Sequence, residues 1–222
     1  MLHAYFSSLI DSLPVFFQGL WITIQVSGAS LVGATVFGFC LGILRACQIR
    51  FIKHTLAAYV DIVRGTPFLV QIFIVFFILP EFGIQLEAFS ASVICLTFYG
   101  TAYISEIVAA SIMAIPHGQT EAAKASGLSW YQRMRLIILP QAMRPILPPL
   151  VGQYVLLIKD SSVVSVIGLT DVARAGWLTV QRIPEGLMVF GLVGILYFVI
   201  CYPLIHLANW FEKRLTGEAL HL

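Results

Sequence analysis

Residues 12–44 read S-L-P-V-F-F-Q-G-L-W-I-T-I-Q-V-S-G-A-S-L-V-G-A-T-V-F-G-F-C-L-G-I-L, 33 positions without an Asp, Glu, Lys or Arg. A helix rises about 1.5 Å per residue and needs roughly 20 apolar residues to cross the hydrocarbon of a bilayer. This stretch is long enough to do so. Working outward, further uncharged runs include 65–80 (16 residues), 88–105 (18), 145–158 (14), 161–170 (10) and 186–211 (26). Runs 88–105 and 186–211 read directly as spans. Run 65–80 covers only about 24 Å, unless the preceding turns with Asp61 and Arg64 extend it and Arg64 snorkels. Runs 145–158 and 161–170 make one span only with Lys159 and Asp160 inside it. The expected fold is an all-α integral membrane protein with five transmembrane helices, near 15–44, 57–79, 88–111, 146–170 and 186–210.

Composition agrees with this. Charged residues make up 11% of the 222 residues, hydrophobic ones 59%, and mean hydropathy is +0.91. Soluble domains carry about 25% charged and 45–50% apolar residues, so the apolar excess needs lipid as its solvent. A free cytosolic enzyme, a disulfide scaffold and a nucleic-acid-binding chain are excluded. Cys40, Cys95 and Cys201 lie in apolar runs, no C-x-x-C occurs and the five histidines are scattered; no metal site is expected. Gly19, Gly28, Gly33, Gly38 and Gly42 crowd the first span, as close helix approach requires, although glycine is common in membrane helices anyway.

Basic residues set the expected orientation. Arg45, Arg50, Lys53, Arg64, Lys124, Arg133, Arg135, Arg144, Lys213 and Arg214 fall on one side, and only Arg174 and Arg182 on the other. The bias places the N-terminus outside and the C-terminus in the cytoplasm. An odd number of spans fits that split. No basic residue precedes Arg45 and the first apolar run is long, so a cleavable secretion signal is not expected. The whole of 1–222 reads as one membrane domain.

The longest connection, 111–145, lies on the basic side. Pro116 is suited to starting a short helix, Glu121 to its positive end, and Gly127 to stopping it. Ser129 is placed to cap a second short helix beginning at Trp130. Such a pair suits the docking of a soluble partner; an amphipathic hairpin lying on the membrane surface is the plainer alternative.

Here the residues carry a resemblance. Glu121-Ala122-Ala123, Gly127 and Ile137-x-Leu139-Pro140 resemble the E-A-A-x3-G-x9-I-x-L-P signature of binding-protein-dependent ABC transporter permeases. Arg64-Gly65-Thr66-Pro67, Ala102-Tyr103-x2-Glu106, Pro116-x-Gly118-Gln119, Leu139-Pro140-Gln141-Ala142 and Lys159-Asp160-Ser161-Ser162 are similar to the polar amino-acid branch of these importers. The resemblance implies a type I ABC importer permease in a bacterial inner membrane, working as a homo- or heterodimer. It further implies ABC ATPase subunits that bind ATP and Mg, and an extracytoplasmic solute-binding protein that delivers a polar amino acid. The segment 111–145 is then the coupling loop that meets the ATPase, through Glu121, Ala122, Ala123, Gly127, Leu139 and Pro140. The chain has no G-x4-G-K-(S/T) phosphate loop, so ATP hydrolysis falls to a separate subunit. It is not expected to be an enzyme or to hold a cofactor itself.

Ionisable groups inside a span cost about 2.5–3.5 kcal/mol each and need a partner or a watery cavity. Lys159 and Asp160, with Ser161 and Ser162, are therefore candidates for the substrate path, and a structural ion pair between helices is the alternative. Glu106 is a further candidate, with gating or structural work equally open. Arg64, Gly65, Thr66 and Pro67 read as structural or gating residues, with Thr66 as a cap and Pro67 early in the second helix. One position departs from the branch: Ala109 stands where an E-x-x-R arginine is often found. Either a paralogous partner supplies that arginine, or Lys159 takes part of its task. An ion-coupled secondary transporter or channel is the alternative function, although five spans are few for inverted-repeat transporters.

Overall fold

The computed structural model describes residues 2–216 except 48 and 183–184. Their regular structure is helical: α1 (Leu2–Ala46), α2 (Arg50–Gly65), α3 (Phe68–Phe73), α4 (Ala88–Met113), α5 (His117–Ala125), α6 (Trp130–Arg133), α7 (Leu139–Asp160), α8 (Val172–Val180) and α9 (Gly186–Thr216). Ser8–Ala46, Ala88–Met113, Trp130–Ile167 and Gly186–Arg214 are each long and apolar enough to cross a membrane. Arg50–Gly65 with Phe68–Phe82 forms a fifth, broken candidate. Trp21, Phe37, Phe198 and Val199 are exposed along these helices, as side chains facing lipid would be.

Three expectations need correction. The second span was expected near 57–79 as one helix, with Pro67 early in it, but the chain leaves the helix at Thr66–Pro67. A residue before proline is pushed out of the α region, and Pro67 itself is extended, with φ −61° and ψ 137°. The residue directly before α3 is Pro67, and the Thr66 hydroxyl accepts a hydrogen bond from Gln71 Nε2 at 2.9 Å. The fourth span was expected to begin near 146, yet the helix starting at Trp130 runs on to Ile167. It does so despite Pro145, Pro148 and Pro149 in its interior. Finally, 171–185, which falls between the fourth and fifth expected spans, contains α8.

Two segments wind as π-helix, Ile74–Ile78 and Met134–Ile138. Each ends two residues before a proline, Pro80 and Pro140. A proline ring has no N–H and collides with the carbonyl four residues back, so a widened turn relieves the clash.

Contacts divide the chain into two units. One comprises the chain up to Val32, Thr66–Phe98 and Val155–Pro203; the other comprises Gly33–Gly65, Tyr99–Tyr154 and the chain from Leu204. In the first, Leu9, Phe16, Ala175 and Val189 form a buried cluster backed by Leu192 and Val193. In the second, Val60, Val63 and Ala102 are packed with Tyr59 and Tyr99.

Within the second unit the glycines of α1 have a definite task. A Cβ on Gly38 would lie 2.6 Å from Ile104 Cβ, and one on Gly42 would lie 2.6 Å from Val108 Cβ. The two glycines are one turn apart, the G-x3-G spacing that lets helix backbones approach closely. Gly28 meets nothing within 4 Å, so glycine there reflects only its general frequency. Gly42→Leu is expected to destabilise the protein by about 1–3 kcal/mol through overpacking, seen as a lower melting temperature in mild detergent. Gly28→Leu is expected to leave the melting temperature nearly unchanged.

Candidate functional site

The helix pair at 117–133 is built from local signals. α5 begins directly after Pro116, whose φ of −55° and ψ of 133° lie outside the helix. At its other end Gly127 takes a φ of 75°, where a Cβ would be strained. The Gly127 N–H donates to Lys124 O at 2.9 Å and the Leu128 N–H to Ala123 O at 3.1 Å. Together these bonds form a Schellman stop. Ser129 then caps the next helix in a reciprocal capping box with Gln132, satisfying two amide donors at once. Start, stop and cap lie where the sequence placed them. The second helix differs from expectation in length, because it continues through the π turn into α7 instead of ending as a short element.

Exposure sorts the residues of this loop. Glu121 and Ala122 are exposed, whereas Ala123 is buried within the chain's own fold at 6% exposure. The small side chain of Ala123 therefore serves the seating of α5 on its own protein, and Ala122 is the alanine presented outward. Glu121 Oε1 lies 3.6 Å from His117 Nδ1, one turn earlier. Leu139 is half-buried and Pro140 exposed at the start of α7. Gln141 Nε2 donates to Ile137 O at 2.8 Å and to Gln119 Oε1 at 3.4 Å, so two of the quoted motifs meet.

Glu106 sits in an ion cluster that links three helices of the second unit. Its Oε2 accepts a 2.6 Å hydrogen bond from Arg45 Nη1 of α1 and lies 3.8 Å from Arg64 Nη1 of α2. The Arg64 guanidinium carbon stands 5.5 Å above the Tyr103 ring, a cation–π distance. Arg45 was read only as a charge that sets orientation, and Arg64 also as a structural or gating residue; neither was expected to pair with Glu106. Their pairing depends on tertiary placement that spacing does not reveal. Ala109, three residues beyond Glu106, is 1% exposed and leaves little room for an arginine.

The path candidates at 159–162 belong to the first unit and are not equivalent. Lys159 is exposed, Asp160 and Ser162 are half-buried and Ser161 is buried. Lys159 and Asp160 form no ion pair with each other among the described residues, as neighbours about 100° apart on a helix should not. Ser161 Oγ donates to Ile158 O at 2.7 Å and accepts from Ser27 Oγ at 3.2 Å. Ser161, at the start of the 3-10 turn after α7, thus ties that turn to α1 within its unit.

Sequence reading missed a polar knot in the same unit. Asp171, 1% exposed, caps α8: its Oδ1 accepts from the Arg174 N–H at 2.9 Å and its Oδ2 from Tyr197 Oη at 3.1 Å. The Val172 N–H donates to Thr23 Oγ1 at 3.2 Å. A Cβ on Gly19 would come within 2.7 Å of Asp171 O. An Asp directly before an apolar helical run is a cap signal, but it fell between the expected spans, where no helix was expected. Burial raises the carboxyl from 3.8 to about 6, against the lowering effect of the Arg174 and Tyr197 hydrogen bonds.

Four helices long and apolar enough to cross a membrane, a fifth broken candidate and a capped helix pair describe a helical membrane protein, and comparison with known proteins gives its family. Residues 34–217 match "Binding-protein-dependent transport system inner membrane component". The chain belongs to that family: it is an inner-membrane permease subunit of an ABC importer, a transport component and not an enzyme. It is 34% identical to the probable glutamine ABC transporter permease protein GlnP of Bacillus subtilis (strain 168) over 209 residues, covering 93% of this chain and 96% of the relative. The arginine transport system permease protein ArtQ of the same organism is 34% identical over 214 residues, covering 96% and 98%. The crystal structure of an amino acid ABC transporter with histidines superposes with a TM-score of 0.85 at 32% identity, covering 95% of this chain and 98% of that one.

Asp171 supports a pH prediction. With its folded value near 6 and its ordinary value at 3.8, the buried neutral carboxyl contributes its full stability below about pH 4. That stability is lost as pH rises to about 6 and stays lost above. Thermal melts should show wild type losing on the order of 1–3 kcal/mol more than Asp171→Asn between pH 4 and pH 7.

Proposed function

We propose that this subunit lines half of the path for a polar amino acid in an ATP-driven importer. It pairs with a second copy or a paralogue and receives solute from an extracytoplasmic binding protein. Its N-terminus lies outside and α5 faces the cytoplasm, as ten basic residues against two favour. The relatives named for glutamine and arginine transport support the substrate class.

The observation that carries the reading is the rigid stop and restart of the chain at α5. A seat for an ATPase must transmit force, so its helix must not slide or fray. The Schellman stop at Gly127 and the capping box at Ser129 fix both sides of the turn. The second helix is continuous with the span that carries Lys159 and Asp160. Movement at the loop therefore reaches the path candidates through one helix. Glu121, Ala122, Gly127, Leu139 and Pro140 form the coupling region, with Ala123 holding α5 in place from behind.

In the path, Asp160 and Ser162 face an amino acid's ammonium, and exposed Lys159 takes over carboxylate recognition where Ala109 offers no arginine. Glu106 is a separate candidate in the second unit, where Arg45 and Arg64 hold its carboxylate. A gate is the natural use of such a cluster, since an arriving ammonium group competes with the two guanidiniums for the same oxygen atoms. Arg64, Gly65, Thr66 and Pro67 form the hinge beside it.

Two variants test the seat. Ala122→Trp, at an exposed position, should weaken ATPase co-purification at least about tenfold, equivalent to about 1.4 kcal/mol, while the permease still inserts and melts normally. Gly127→Val should weaken co-purification and also lower the melting temperature by straining the left-handed stop. Undiminished recovery of ATPase by the Ala122 variant would contradict the assignment.

A further inference from the structure

Beside α5 the second unit holds a cavity of about 340 Å³ that the proposed coupling role does not use. Such a volume lies at the lower end of small-ligand cavities, about 300–1,000 Å³. Its polar wall comes from His117, Thr120 and Lys124, which share one face of α5, and from Arg133 of α6. Its apolar wall comes from Ala46, Ile112, Met134 and Ile138, with Trp130 also bordering the space. No carboxylate lines it among the described residues. The nearest acid on α5, Glu121, is beside His117. Arg133 donates through Nη1 to Leu128 O at 2.7 Å, which fixes its guanidinium in place at the wall.

The location narrows the ligand class. Ala46 is the last residue of α1, and Ile112 lies one residue before the end of α4. Two spans therefore end at the cavity, which puts it at the boundary between hydrocarbon and water whichever way the protein is inserted. Trp130 is suited to that level. Cations on one wall and aliphatic side chains on the other match a molecule that is anionic at its head and apolar behind it.

We propose that this cavity binds the phosphodiester head group of an anionic phospholipid, with Lys124 and Arg133 facing the phosphate and Ile112, Met134 and Ile138 meeting the start of the acyl chains. Basic pockets at span ends hold such head groups through the same pairing of charge and apolar contact. A lipid seated here braces α5 from the side opposite exposed Ala122. The site is thus a second support for the proposed ATPase seat, but its occupancy is measured without reference to transport.

The test uses the complete transporter, purified with its ATPase and reconstituted in nanodiscs of equal parts phosphatidylcholine and phosphatidylglycerol. After re-extraction into mild detergent, retained lipid is quantified by mass spectrometry. Wild type and Lys124→Arg should retain phosphatidylglycerol preferentially, and Lys124→Glu should lose at least roughly fivefold of that preference. Lys124 is exposed, so the fold should tolerate both changes. Equal retention of the two lipids by wild type would overturn the proposal, as would an unchanged preference in Lys124→Glu. Displacement of the lipid by inorganic phosphate would mark a site for free anions and overturn it too. Retention seen only after the ATPase is stripped away would make the cavity part of the protein interface, with the same consequence.

Discussion

Inside a bilayer no water is available to peptide N–H and C=O groups, and every other feature of this chain is arranged around that fact. Each unsatisfied backbone group costs several kcal/mol in hydrocarbon. The spans are therefore helices, and their prolines mark where the ladder must be adjusted. Two π turns precede Pro80 and Pro140, and the second span breaks at Pro67. In α7, Pro145, Pro148 and Pro149 deprive three carbonyls of their usual donors four residues on. Lys159 and Asp160 thus lie on the helix with the most interior prolines, which begins within the proposed coupling loop.

The second constraint is charge. With 11% charged residues, each ion near a span must be accounted for. Arg45, Arg64 and Glu106 answer to one another. Asp171 is answered by an amide N–H and a tyrosine hydroxyl, and burial holds it largely protonated below about pH 6. Lys159 is exposed on the isolated chain, which suits a position that meets solute or a second subunit.

The features legible in the sequence were the local ones. Uncharged runs located the spans because insertion depends on length and hydropathy, both of which are local quantities. Pro116, Gly127 and Ser129 were readable because caps and stops involve residues within a few positions of each other. What escaped reading depended on distant partners. Glu106 meets Arg45 across 61 residues of chain and Tyr197 meets Asp171 across 26. A helix start at Thr66–Pro67 was legible locally, but the run 65–80 was too short to span alone, and extending it back through 57–64 masked the break between the two helices. The inward position of Ala123 needed the fold of the loop itself, since Ala122 and Ala123 look alike in a helical run.

The most direct test is uptake into proteoliposomes holding this permease with its ATPase and binding protein, using labelled polar amino acids. The account predicts accumulation that requires ATP on the ATPase side and the binding protein on the other, and none from this chain alone. Uptake by this chain alone, driven by an ion gradient without ATP, would contradict it.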